Sequence, residues 1–180
     1  VVARTTGVVD RPVAELVSGY ILEYSRHISA MSAAMHAGQW QRIPSHSVAG
    51  HTLGIVGMGN IAWEVARRAA AFDLRILNYS HRPNVQAEEA FGAQYVPLTT
   101  LLGEADFVSL HVPLTEETRL MMDAQALAHM KKGAYLFNTA RGAVVDAQAL
   151  ADALRSGQLG GAAIDVFDGE PCTDSPLLGL

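Results

Sequence analysis

Thr52-Leu53-Gly54-Ile55-Val56-Gly57-Met58-Gly59-Asn60-Ile61-Ala62 sets an apolar run, a glycine-rich turn and the start of a helical pattern in direct succession. A G-x-G-x-x-A turn between a strand and a helix is the arrangement that grips the pyrophosphate of a dinucleotide. Gly57 permits the tight turn from strand to helix. Gly59 has no Cβ, so a pyrophosphate can reach the backbone amides of Asn60 and Ile61 at the positive end of the helix. Ala62 is small enough to let that helix lie close to the strand. No Lys-Ser or Lys-Thr follows the glycines, which excludes a nucleotide-triphosphate loop of the Walker type.

Short apolar runs and helical patterns alternate on the C-terminal side of this turn. The spacing predicts strands at 53–56, 75–79, 94–96, 107–111, 134–138 and 162–166, and helices at 61–72, 85–91, 123–130 and 146–156 with a short turn near 98–102. Such alternation implies a Rossmann-type α/β fold, a doubly wound parallel sheet with helices on both faces. On the N-terminal side, Val13, Leu16, Val17, Tyr20, Ile21 and Tyr24 recur at helical spacing, which predicts one long helix from Pro12 to about Trp40. The polar stretch 41–51 reads as a loop.

The 180 residues suit a single domain, and 49% apolar side chains suffice for a sizeable core. With 13 Lys and Arg against 18 Asp and Glu, the net charge is −5 and no basic run exists, so neither a nucleic-acid backbone nor an anionic membrane is an expected partner. Cys172 is the sole cysteine, which rules out an internal disulfide and a cysteine-based zinc site. A reducing cytoplasm is the expected location. No His and carboxylate spacing suggests a bound metal.

In a dinucleotide site of this kind an acidic residue about 20 positions beyond the glycines accepts hydrogen bonds from the adenosine ribose. The second strand ends instead in Asn78-Tyr79-Ser80-His81-Arg82. Ser80 removes the charge that would repel a ribose 2′-phosphate, and Arg82 offers that phosphate a charge-assisted partner. The expected cofactor is therefore NADP, with NAD as the alternative.

Further along, five stretches occur in a fixed order: Thr52 to Gly59, Asp106-Phe107-Val108-Ser109-Leu110-His111-Val112-Pro113-Leu114-Thr115, Met130-Lys131-Lys132-Gly133, Asn138-Thr139-Ala140-Arg141-Gly142 and Asp165-Val166-Phe167-Asp168-Gly169-Glu170-Pro171. With them the chain resembles the nucleotide-binding domain of the D-isomer-specific 2-hydroxyacid dehydrogenases over nearly its whole length. The Ser-His-Arg strand end and the tail Asp174-Ser175-Pro176-Leu177-Leu178 are most similar to the family's glyoxylate, hydroxypyruvate and 2-ketogluconate reductases, which prefer NADPH.

The resemblance implies a hydride transfer between NAD(P)H and a small 2-oxo acid, with an Arg, a Glu and a His at the active site. Arg141 matches the Arg and Glu170 the Glu that holds the catalytic imidazole. Thr139, Ala140 and Asp165 match residues on the nicotinamide side, and His111, Val112 and Pro113 those beside the adenosine. The long first helix, with Tyr20, Tyr24 and Trp40, matches a dimerisation arm, so a homodimer is expected. The seven histidines, at 27, 36, 46, 51, 81, 111 and 129, all precede Glu170, whereas the family's acid follows it in a Pro-His pair. On this reading residues 1–180 are one nucleotide-binding domain of a two-domain protein, with the substrate domain before Val1 and the catalytic His after Leu180. Two other readings stay open: a catalytically silent NAD(P)-sensing binder like the family's corepressors, and a relative of phosphite or formate dehydrogenases.

Overall fold

The computed structural model describes residues 7–180. Six parallel strands form one sheet in the order β3-β2-β1-β4-β5-β6. They are β1 (Thr52–Val56), β2 (Arg75–Tyr79), β3 (Gln94–Tyr95), β4 (Phe107–Leu110), β5 (Ala134–Asn138) and β6 (Leu159–Ile164). The order reverses between β1 and β4, and at that switch point the loops leaving the two strands part and open a crevice. The turn at Gly57 leaves β1 at this crevice.

Both faces of the sheet are covered. On one lie α1 (Asp10–Arg26), α3 (Asn60–Ala71) and α4 (Val85–Phe91), which bury Val17, Ile21, Ala62, Val65 and Ala87 with Ile55, Phe107 and Phe137. On the other lie α5 (Leu98–Glu104), α6 (Ala124–His129) and α7 (Ala147–Arg155), which bury Leu101, Leu127 and Leu150 with Val108 and Leu136. Helix starts follow their caps: Asn84, Asp123 and Asp146 accept from backbone amides in the first turns of α4, α6 and α7. At the amino edge of the sheet, the Asp106 carboxylate is opposed by burial. Hydrogen bonds from Lys131 at 2.6 Å and from the Thr52 amide at 2.8 Å outweigh that cost and hold it below its ordinary pKa.

The N-terminal region departs from the expected single helix. His27 takes a left-handed conformation, φ 52°, which ends α1 and starts α2 (Ile28–His36) in a new direction. Tyr20 and Tyr24 also turn inward: Tyr24 packs at a tilt on Tyr135 at 4.6 Å and donates to the Ala162 carbonyl, while Tyr20 packs on Phe137 at 5.8 Å. Both are half-buried and pack against the core of this chain. Trp40 lies beyond α2 and is 82% exposed. The last strand begins three residues before the expected 162, because Gly160 and Gly161 carry no apolar side chain to mark it. A 3-10 turn at Gly142–Val144, unforeseen in the sequence pattern, follows β5.

Candidate cofactor and substrate site

Gly57 shapes the turn for two reasons. Its φ is +95°, and a Cβ there would meet the His111 carbonyl oxygen at 2.8 Å, so only glycine joins β1 to α3 beside the loop that leaves β4. Gly59 differs. Its φ is −93°, and a Cβ there would find nothing within 4 Å, which leaves its face open to a ligand. Gly59 also gives α3 no side-chain cap, so the amides of Asn60 and Ile61 at this 12-residue helix start remain free for an anion.

A cleft of about 710 Å³ opens from this turn. Gly57, Gly59, Ser80, His81, Arg82, His111, Val112 and Pro113, all expected cofactor contacts, line it together. Ser80 donates its hydroxyl to the Arg82 carbonyl at 2.6 Å, folding the strand end into a turn that still leaves the Ser80 oxygen able to accept. Arg82 is exposed and makes no ion pair among the described residues. His81 Nε2 stands 3.9 Å from Glu117, both well exposed, so the pair contributes little.

His111 and Ser109 share a 2.9 Å hydrogen bond between Nε2 and Oγ. Burial pushes the His111 pKa down to about 4, so the ring lines the cleft as a neutral imidazole through the physiological range. Its loop is latched by Thr118, a residue that sequence reasoning did not single out. The Thr118 hydroxyl donates to the Pro113 carbonyl at 2.6 Å and accepts from the Thr115 amide at 2.8 Å.

The second half of the site lies at the carboxyl ends of β5 and β6, on the same edge of the sheet but outside the cleft. Buried Asn138, missed as a functional residue, sets the loop after β5. Its side-chain oxygen accepts from the Ala140 amide at 3.0 Å, and its nitrogen donates to the Arg141 carbonyl at 2.9 Å. A polar residue ending an apolar run was the signal available for it. Arg141 is exposed, with one guanidinium nitrogen donating to the Ala140 carbonyl at 2.6 Å and its other donors available. A Cβ on Gly142 would overlap the backbone of Phe167 and Asp168, so the loop bearing Arg141 lies directly against the loop bearing Glu170.

Asp165 donates its amide to the Asn138 carbonyl at 3.0 Å, which carries the sheet pattern one residue beyond β6 and leaves its carboxylate exposed. Glu170 turns back on its own loop and accepts from the Phe167 amide at 3.0 Å. Among the described residues no His reaches it. Thr139 has a buried hydroxyl with no hydrogen-bond partner.

An open-faced glycine, an uncapped helix start, an unpaired cation and an unpartnered hydroxyl, set along one edge of the sheet, fit a dinucleotide laid across the switch point. Family comparison agrees, since residues 18–180 match the model of the D-isomer specific 2-hydroxyacid dehydrogenase, NAD binding domain. The chain belongs to that family. Glyoxylate reductase from Thermococcus litoralis is 42% identical across 99% of this chain and 57% of its own length. Hydroxypyruvate reductase from Thermotoga maritima is 41% identical across 96% of this chain and 56% of its own. The crystal structure of a glyoxylate reductase from Paecilomyes thermophila superposes with a TM-score of 0.89 at 36% identity, covering 98% of this chain and 54% of that one. The chain thus spans a little over half the length of the curated relatives it matches. Among the described residues no helix is long and apolar enough to cross a membrane.

Proposed function

We propose that the protein is an NADPH-linked reductase of short 2-oxo acids, glyoxylate or hydroxypyruvate foremost, with 2-ketogluconate as a further substrate. The observation that supports this reading is that the Gly57 turn after β1 and the Asn138-latched Arg141 loop after β5 leave the same carboxyl edge of the parallel sheet. Bound nicotinamide supplies a hydride to the oxo carbon; the protein supplies the geometry and the charge.

The amides of Asn60 and Ile61 hold the diphosphate, and His111, Val112 and Pro113 wall the adenosine. Ser80 and Arg82 take the ribose 2′-phosphate, and Arg82 favours NADP over NAD by about 1.5 to 3 kcal/mol, the worth of a hydrogen bond to a charged group. Thr139, Ala140 and Asp165 flank the nicotinamide. Arg141 holds the substrate carboxylate and polarises its carbonyl through the donors that Ala140 leaves free. Glu170 orients a His supplied from outside these 180 residues, and that imidazole protonates the new hydroxyl. A cytoplasmic homodimer is the proposed working form.

The test is a fluorescence titration of the chain with NADPH and NADH, followed by turnover assays of the full-length protein. NADPH should bind more tightly, and Arg141→Ala in the full-length protein should lower kcat/KM for glyoxylate at least about 100-fold while leaving NADPH binding intact. Tight NADPH binding with no turnover of any 2-oxo acid by the unmodified full-length protein would instead establish a nucleotide-sensing binder.

A further inference from the structure

The turn that presents Arg82 to the cofactor cleft is tied down from outside the cleft. The ladder between β2 and β3 stops where Asn78 faces Tyr95, and its last bond runs from the Val96 amide to the Asn78 carbonyl at 3.0 Å. β3 is only two residues long, so no strand residue stands opposite Ser80. The Tyr95 hydroxyl reaches forward instead and donates to the Ser80 carbonyl at 3.2 Å. A side chain thus supplies the donor that a longer strand would have offered from its backbone.

Tyr95 is exposed and belongs to neither core cluster, so burial of its ring does not account for its placement. Its bond acts on a segment already closed on itself, where the Ser80 hydroxyl donates to the Arg82 carbonyl at 2.6 Å. Pro83 adds a third restraint by keeping the Arg82 backbone out of the helical region. Ser80, His81 and Arg82 all line the cleft, whereas Tyr95 does not. The guanidinium of Arg82 is exposed and makes no ion pair among the described residues. A cation left unpaired on a backbone held at several points is suited to a ligand that brings its own negative charge.

We infer that Tyr95 is a positioning residue for cofactor choice: by holding the Ser80 carbonyl, its hydroxyl fixes the turn from which Arg82 meets the ribose 2′-phosphate. A cation whose backbone is set in advance loses less freedom when the phosphate binds, so the gain falls on the phosphate-bearing cofactor alone. This inference rests on the NADP reading above and deepens it, adding to selectivity a residue that touches no part of the cofactor.

Tyr95→Phe keeps the ring and removes the hydroxyl. By fluorescence titration of the full-length protein it should raise the Kd of NADPH about 3- to 10-fold, the range of one lost neutral hydrogen bond, and leave that of NADH within twofold. The fragments 2′,5′-ADP and 5′-AMP should divide in the same way. In an Arg82→Ala background the same substitution should change NADPH binding less than twofold, because the group it positions is gone. An unchanged NADPH to NADH ratio in Tyr95→Phe overturns the inference. An equal loss for both cofactors overturns it as well, since that marks a structural bond, and so does a loss that persists in full without Arg82. An unmodified protein that binds NADPH no more tightly than NADH overturns the NADP reading itself and this inference with it.

Discussion

His111 couples the cofactor cleft to pH. Its pKa lies near 4 in the folded chain against 6.5 for the free side chain, because burial penalises the imidazolium. Between those values the unfolded chain binds the proton that the folded chain refuses, so stability from this group is complete above pH 6.5 and is lost as pH falls toward 4. The full effect is at most roughly 3 kcal/mol, and less because the residue keeps some solvent contact. His111→Asn should flatten the dependence of unfolding free energy on pH between 6.5 and 4, measured by urea titration at several pH values; an unaltered slope would assign the acid sensitivity elsewhere. Arg82 tests selectivity at the same scale. Arg82→Ala should raise the Kd of NADPH about 10-fold or more and leave that of NADH within twofold, since only the former carries the phosphate. An unchanged ratio would remove Arg82 from cofactor choice.

At the scale of elements, two loops make the substrate side, and Gly142 holds them together. Its missing Cβ lets the loop after β5 touch the backbone of Phe167 and Asp168, and a methyl there has no flexible side chain to push aside. Gly142→Ala should cost about 1 to 3 kcal/mol of stability by thermal melting. It should also depress kcat/KM of the full-length protein more than it weakens NADPH binding, because the adenosine cleft lies away from the strained loop. The strand-turn-helix units were legible in the sequence because each couples an apolar run to a helical pattern, capped by Asn84, Asp123 or Asp146 at α4, α6 and α7: Arg75–Tyr79, Val85–Phe91 and Ala134–Asn138 end where the pattern ends. Three features escaped for separate reasons. The break at His27 is a single left-handed residue inside a continuous helical pattern. Early β6 is written in glycines. Asn138 and Thr118 work through bonds to backbone atoms, which leave no periodic trace. The cleft divided likewise: Gly57, Ser80, Arg82 and His111, which line it, were readable from motif and context, whereas Thr118, which latches its wall, was not.

The whole molecule carries an arm that its own core does not use. The kink at His27 sends α2 away from the sheet, and of its nine residues only Ala34 is buried, while Ile28, Met35 and the following Trp40 are 53%, 55% and 82% exposed. A nine-residue helix with so little burial is marginal on its own, and its exposed apolar side chains are suited to contact with another surface. A second copy of the chain is the simplest occupant, since a two-fold interface pairs one patch with itself. The arm leaves near the amino edge of the sheet, where the Ser25 carbonyl accepts from the His46 amide and His46 stacks on His51 just before β1. The cofactor cleft opens at the opposite edge, so dimerisation and cofactor binding should separate. Replacing Ile28 and Met35 together by Glu should weaken self-association at least about 100-fold, moving the sedimentation coefficient from dimer to monomer. The Kd of NADPH should change less than twofold. A wild-type chain that sediments as a monomer at micromolar concentration would show that α2 is held by something other than its own copy.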